Sequence, residues 1–310
     1  MNIMINCSCS LEEKIKYICK CEYKYFLSKD NVVGIGLGYK IKNGFNTLQK
    51  CIKVFVINKV KSDRLTPNEM IPNNYKGIPT DVVESGVFTA SSLKKKIRPV
   101  IGGYGVSASG SKTAGTVGCL VTNGVSNFIL STNHVLAGIN KYPIGTPIIQ
   151  PAYKDGGRSS KDTIATLYKF VPLRLITGTS QPINLSDAAI GLLTSPDILS
   201  NEIAFIGKPT CVKNPKLNEH VQKVGRTTEL TKGIVTSTNV TTRVVYTSGE
   251  ICLFHDLIAA SLIGDLGDSG ALVVNNSKCA LGLILGKSLN NSLFCRLTTV
   301  MDQLGVHLVT

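Results

Sequence analysis

The eleven residues from Ile263 to Val273 read Ile-Gly-Asp-Leu-Gly-Asp-Ser-Gly-Ala-Leu-Val and place one serine, Ser269, in a turn punctuated by Gly264, Gly267 and Gly270. A serine hydroxyl is a poor nucleophile at neutral pH. It needs a neighbouring base, and it needs N–H groups aimed at the oxyanion that forms when it attacks a carbonyl. Glycine tolerates dihedrals that a side chain forbids, so a turn of this kind can point several amides inward. The Gly267 and Ser269 amides are the candidates. Gly-Asp-Ser-Gly alone also fits a plain polar turn between strands, so the reading depends on whether the chain supplies a base and an acid to orient it.

Four histidines are present: His134, His220, His255 and His307. Only His134 follows a buried-looking strand and opens a short turn of small residues, in Leu130-Ser131-Thr132-Asn133-His134-Val135-Leu136-Ala137. A base also needs an acid to fix its tautomer and stabilise the imidazolium. Asp187, in Asn184-Leu185-Ser186-Asp187-Ala188-Ala189-Ile190, starts an otherwise apolar strand. Asp155 and Asp162 are rivals, but neither leads so apolar a run.

The elements that must hold these groups fall into two textures. Residues 10–29 read as an amphipathic helix, with Ser10 and Glu13 forming a capping box and Leu11, Ile15, Ile18 and Phe26 near helical spacing. Strands follow at Asn31–Tyr39 and Ile52–Ile57, with a third at Thr80–Val87, so residues 1–92 are predicted to form a small α/β domain. Gly34, Gly36 and Gly38 lack the further glycine and the helix of a dinucleotide loop. Cys7, Cys9, Cys19 and Cys21 form two Cys-x-Cys pairs that could hold zinc, but Cys19 and Cys21 lie two apart on the predicted helix and face different sides.

Lys94-Lys95-Lys96 with Arg98 reads as a basic connector. Beyond it short strands recur: Gly115–Val121, Asn127–Leu130, Pro147–Gln150, Thr163–Leu167, then segments near His220, Gly233, Val244, Leu257, Ala271 and Leu281. Many short strands with no long helix between them predict a sandwich or barrel architecture. Thr298–Leu304 is predicted as one short helix.

The chain has 310 residues, 43 % hydrophobic and 17 % charged, with a formal net charge of +14. The lysines are scattered and do not interleave with aromatic residues, so the charge reads as solvated surface and no nucleic-acid partner is expected. No apolar run is long enough to span a membrane. Met1–Ser8 lacks the basic stretch and apolar run of an export signal. With ten cysteines, this predicts a cytoplasmic protein with free thiols.

The order His134, Asp187, Ser269, at separations of 53 and 82 residues, is that of chymotrypsin-like double barrels. From Arg98 to about Val309 the chain resembles trypsin-like serine peptidases, most nearly a bacterial branch related to plant proteases of the Narrow Leaf type that carries an N-terminal extension. The matching motifs are Ser131–Leu136, Asp187–Ile190, Gly267–Gly270, Thr113–Cys119 and Gln150–Gly157, with Val33–Lys40 and Gly77–Val83 in the N-terminal domain.

The resemblance implies a mostly β protein: a chymotrypsin-like double β-barrel over residues 93–310, preceded by the α/β domain. The first barrel would span about 100–195 and the second about 205–297. It implies a serine endopeptidase with His134, Asp187 and Ser269 as triad and the Gly267 and Ser269 amides as oxyanion hole. No metal or organic cofactor would be needed. Gly225-Arg226-Thr227-Thr228 resembles a motif of members that need no freed N-terminus, which predicts a pair between Arg226 and Asp268 that supports the site. Ile263 would form the floor of the primary pocket and favour an apolar residue at the cut. Lys287, if turned inward, would favour an acidic one. The expected partner is a protein or peptide substrate, with the N-terminal domain as a candidate for self-assembly. The competing reading is a non-catalytic binding module on the same fold.

Overall fold

The computed structural model describes residues 10–60, 62–86, 92–261 and 263–310. Its contacts divide the chain into two units, Met1–Ser91 and Ser92–Thr310.

In the first unit the predicted helix is two: Leu11–Cys21 and Tyr23–Leu27, broken at Glu22. The capping box forms, with the Ser10 side chain accepting from the Glu13 amide and the Glu13 carboxylate accepting from the Ser10 amide. Strands Val32–Lys42 and Phe45–Val56 make an antiparallel hairpin. Asn43 and Gly44 turn it with φ of 51° and 82°, the doubly positive conformation that two-residue hairpins favour. Ile78–Glu84 adds in parallel to Phe45–Val56, and Asn74–Tyr75 closes the four-stranded sheet. Ile15, Ile18 and Phe26 pack on Ile52, Val54 and Ile78 to form the core. Leu11, predicted on the same face, is exposed.

The second unit holds two eight-stranded sheets. One runs, in spatial order, His307–Leu308, Cys119–Thr122, Asn127–Ser131, Ala189–Leu193, Thr163–Phe170, Pro147–Ile149, Gly105–Ala108 and Gly115–Thr116, all antiparallel. In the other, Ile251–Ser261, Glu229–Val245, His220–Gly225, Leu272–Asn275, Cys279–Lys287 and Asn291–Arg296 pair in a ring, because the last strand bonds both its predecessor and the first. The segments expected near Gly233 and Val244 are thus one 17-residue strand, and the run expected over Gly115–Val121 is two strands.

Most of these strands are buried along consecutive residues, and successive side chains feed clusters on opposite faces, as Ile129 and Leu130 do. Val106, Ile129, Ile148 and Ile164 form one cluster in the first sheet; Val221, Val235, Ile258 and Phe294 form another in the second. A third cluster, including Leu130, Leu272, Leu283 and Leu304, joins the two sheets. The helix Leu297–Leu304 covers it with Val300 and Met301. Among the described residues no helix is long and apolar enough to cross a membrane.

Cys211 and Cys279 form a disulfide across paired strands, so the expectation that all thiols are free is corrected. Their backbones are in register as parallel neighbours, which brings the two sulfurs together despite 68 residues of separation.

Candidate active site

His134 sits in a four-residue helix, Asn133–Leu136, directly after the buried strand Asn127–Ser131. Asp187 lies just before the strand Ala189–Leu193, which pairs with Asn127–Ser131. Strand pairing therefore brings the two residues to the same end of the sheet. His134 Nδ1 lies 2.5 Å from Asp187 Oδ2, and the His134 amide donates to Oδ1 at 3.1 Å. The Asp187 carboxylate is ionised and accepts only, so Nδ1 carries a proton, and in the neutral imidazole the lone pair is then on Nε2.

Tyr246, at the end of the strand Glu229–Val245, donates its hydroxyl to the same Oδ2 at 2.8 Å, with its ring 5.2 Å from that of His134. Asp187 has no exposure, and its own amide donates to Cys295 Sγ at 3.4 Å. Burial pushes the Asp187 carboxyl up. The His134 charge and the three hydrogen bonds outweigh that and hold it below the usual range. Burial and the Asp187 charge together raise the Tyr246 phenol well above 10, so it remains a donor.

Ser269 lies in the turn before the strand Leu272–Asn275. Its hydroxyl contacts the Leu285 carbonyl at 3.5 Å; among the described residues it makes no hydrogen bond to His134. The two segments nonetheless meet across Gly115. A Cβ there would lie 2.3 Å from Val135 Cγ2 and 2.8 Å from the Ser269 carbonyl oxygen, so only glycine lets the histidine helix and the serine turn come this close to it. Neither the Gly267 nor the Ser269 amide donates to another group among the described residues.

The predicted pair between Arg226 and Asp268 is not formed. Arg226 Nε donates to Asp155 Oδ2 at 2.7 Å and its Nη2 to Asp155 Oδ1, a two-pronged bond. The cation facing Asp268 is Lys223, whose Nζ lies 2.9 Å from Oδ2 and also donates to Thr228 Oγ1 and the Glu229 carbonyl. The Thr227, Thr228 and Asp265 amides and the Thr228 hydroxyl complete the carboxylate's partners. The physical reason is strand parity. Lys223 points inward from His220–Gly225, two places from Val221, whereas Arg226 lies past the end of that strand and turns to Asp155. Lys223 falls two places from Val221, on the inward face, and that spacing is the sequence signal for its direction.

The rival acids are both committed elsewhere, Asp155 to Arg226 and Asp162 to Lys96 at 2.7 Å. Ile263 is buried in the core of the second sheet with Val235 and Ile258. Lys287 pairs with Asp265 at 2.8 Å. His220 and His307 are exposed on strands. Among the described residues no cluster of His, Cys, Asp or Glu could hold a metal. Cys19 is half-buried and Cys21 exposed, while Cys7 and Cys9 lie outside the described residues. Tyr246 and Leu285 also surround the site and carry no motif that sequence alone would pick out, whereas Thr116 lies within the Thr113–Cys119 motif.

Residues 17–85 match the NARROW LEAF 1 N-terminal domain. No curated protein matches the chain. Among solved structures, the Nocardiopsis protease NAPase is 18 % identical with a TM-score of 0.50, covering 68 % of this chain and 99 % of its own. A glutamic acid specific serine protease is 22 % identical at a TM-score of 0.49, covering 68 % and 100 %. Thermobifida fusca protease A is 20 % identical at 0.49, covering 68 % and 98 %. The fold is that of chymotrypsin-like serine proteases, mostly β with barrel-like sheets.

Proposed function

We propose that the chain is a serine endopeptidase. The observation that supports this best is the buried Asp187 carboxylate holding His134 through Nδ1, which leaves Nε2 as a base beside a turn with two uncommitted amides. Ser269 Oγ rests on the Leu285 carbonyl and in the reaction would leave it for Nε2, and catalytic hydrogen bonds commonly tighten only when substrate is bound.

In the reaction, Nε2 takes the Ser269 proton as Oγ attacks the peptide carbonyl. The carbonyl oxygen becomes an anion facing the Gly267 and Ser269 amides. Asp187 stays ionised and stabilises the imidazolium, and Tyr246 and the His134 amide keep the carboxylate in place. The Nε2 proton then passes to the leaving amine as the C–N bond breaks. Water, losing its proton to the same nitrogen, hydrolyses the acyl-enzyme and regenerates Ser269. Lys287 is paired with Asp265 and so is not a free partner for an acidic side chain, which favours an uncharged residue at the cut site.

A fluorophosphonate probe tests this. Ser269 in the wild type should be labelled, and Ser269→Ala and His134→Ala should not; wild type alone should cleave casein. The Ser269–Leu285 contact favours a second reading, a binding module on the same fold, and absence of both labelling and cleavage would establish it over the first.

A further inference from the structure

We infer that two threonine hydroxyls, Thr116 and Thr227, set the direction of the Gly267 amide and so are positioning residues of the oxyanion hole; the inference rests on the endopeptidase reading. Thr227 Oγ1 lies 2.8 Å from the Leu266 carbonyl and 3.4 Å from Arg226 Nη1. The guanidinium can only donate, so the one hydroxyl proton goes to Leu266. In a trans peptide the C=O and the following N–H point to opposite sides. Holding the Leu266 carbonyl against Thr227 therefore aims the Gly267 N–H away from it.

The peptide on the other side of Gly267 is held as well. Thr116 Oγ1 accepts from the Arg226 amide at 3.0 Å and donates to the Gly267 carbonyl at 2.9 Å. The Thr116 amide donates to the Ser269 carbonyl at 2.8 Å. Thr116 belongs to the first sheet and Thr227 follows a strand of the second, so each half of the unit fixes one plane of the same glycine.

The turn needs this support. Gly267 has φ of 99°, in the region that glycine tolerates, and a Cβ on it would meet Thr227 Oγ1 at 2.4 Å. Leu266 is 67 % exposed, so side-chain packing does little to orient its peptide. A free glycine-flanked peptide of this kind can flip, and in the flipped state a carbonyl replaces the N–H donor.

The test compares Thr227→Val and Thr116→Val with Thr227→Ser and Thr116→Ser, using a fluorogenic peptide chosen from a library for cleavage by wild type. Valine keeps the shape and removes the hydroxyl. The valine variants should lose about 10- to 100-fold in kcat with KM within about twofold, since one oxyanion donor is worth that order or more. The serine variants should recover most of the rate. Melting temperatures close to wild type would show that the loss is not unfolding, and a melting temperature that falls with activity and is not restored by serine would overturn the positioning role. Full kcat in Thr227→Val, with an active wild type, would sink this inference alone. A wild type that neither cleaves nor takes the fluorophosphonate would sink the endopeptidase reading and this inference with it.

Discussion

Lys223 Nζ lies 2.9 Å from Asp268 Oδ2, and both side chains are wholly buried directly behind the Ser269 turn. A buried cation tends to lose its proton. Burial lowers the Lys223 pKa, the Asp268 charge raises it, and the net result is a value below the ordinary 10.5. The sign for stability follows from this. Between the folded value and 10.5 the unfolded chain binds more protons at this residue, so the group alone makes stability rise with pH there. The turn, however, loses the cation facing Asp268. Turnover is therefore expected to fall as pH rises through the folded value, below 10.5, without a matching fall in thermal stability from this group. Lys223→Arg should carry its charge to higher pH and move the alkaline limb upward. An alkaline limb that does not move in a folded Lys223→Arg would count against the coupling.

Much of the site was legible because it is built on local pattern. The His134 turn, the Asp187 strand and the Ser269 loop each carry a recognisable run of residues, and strand pairing brings the first two together. The partner of Asp268 was not legible in the same way. Lys223 and Arg226 lie three residues apart, and which one points inward depends on where the strand ends, a point that sequence locates poorly. Tyr246 was hidden because its role arises only when a 17-residue strand carries it to Asp187, 59 residues away in sequence. The Cys211–Cys279 bond depends on the register of two strands 68 residues apart, which neither the N-terminus nor the cysteine count carries. In the N-terminal unit the helix was found, but its break at Glu22 has no glycine or proline to mark it.

Asp187→Asn should lower kcat by about four orders of magnitude, because the amide no longer selects the tautomer with hydrogen on Nδ1. The same carboxylate contributes to stability with a definite sign. Its folded pKa lies below 3.8, so its contribution is present above 3.8 and is lost as pH falls through the folded value. Urea midpoints of wild type and Asp187→Asn should therefore differ in pH sensitivity only on the acid side. Tyr246→Phe removes one of the two bonds to Oδ2 and should cost about 1–2 kcal/mol in stability, with a loss of kcat smaller than that of Asp187→Asn. Equal losses in the two variants would mean that Tyr246 does more than hold the acid.

Arg226 and Asp155 are each under a tenth exposed and bonded by two nitrogens. Removing one partner leaves a buried, uncompensated charge, so Arg226→Met should destabilise by about 3–5 kcal/mol. Replacing both, as Arg226→Met with Asp155→Leu, should be markedly less harmful than the sum of the single changes. A double-mutant cycle from urea unfolding reads the difference, and additivity would show that the pair is not coupled. Because the Arg226 amide also donates to Thr116, the main-chain link to Gly267 should survive this substitution.

The Cys211–Cys279 disulfide closes a long loop, so it restricts the unfolded chain, and reducing it should cost about 2–4 kcal/mol. The bond lies between the strands Cys211–Val212 and Cys279–Lys287, while Leu285 and Ile284, farther along the second of these, contact the Ser269 turn. Reduction should therefore lower the unfolding midpoint while leaving turnover at moderate temperature near that of the oxidised protein. Non-reducing digestion should recover the two cysteines in one linked peptide pair. The double substitution Cys211→Ser with Cys279→Ser should reproduce the stability loss and be insensitive to reductant. If reductant still lowered its midpoint by the full amount, the effect would belong to another pair of cysteines.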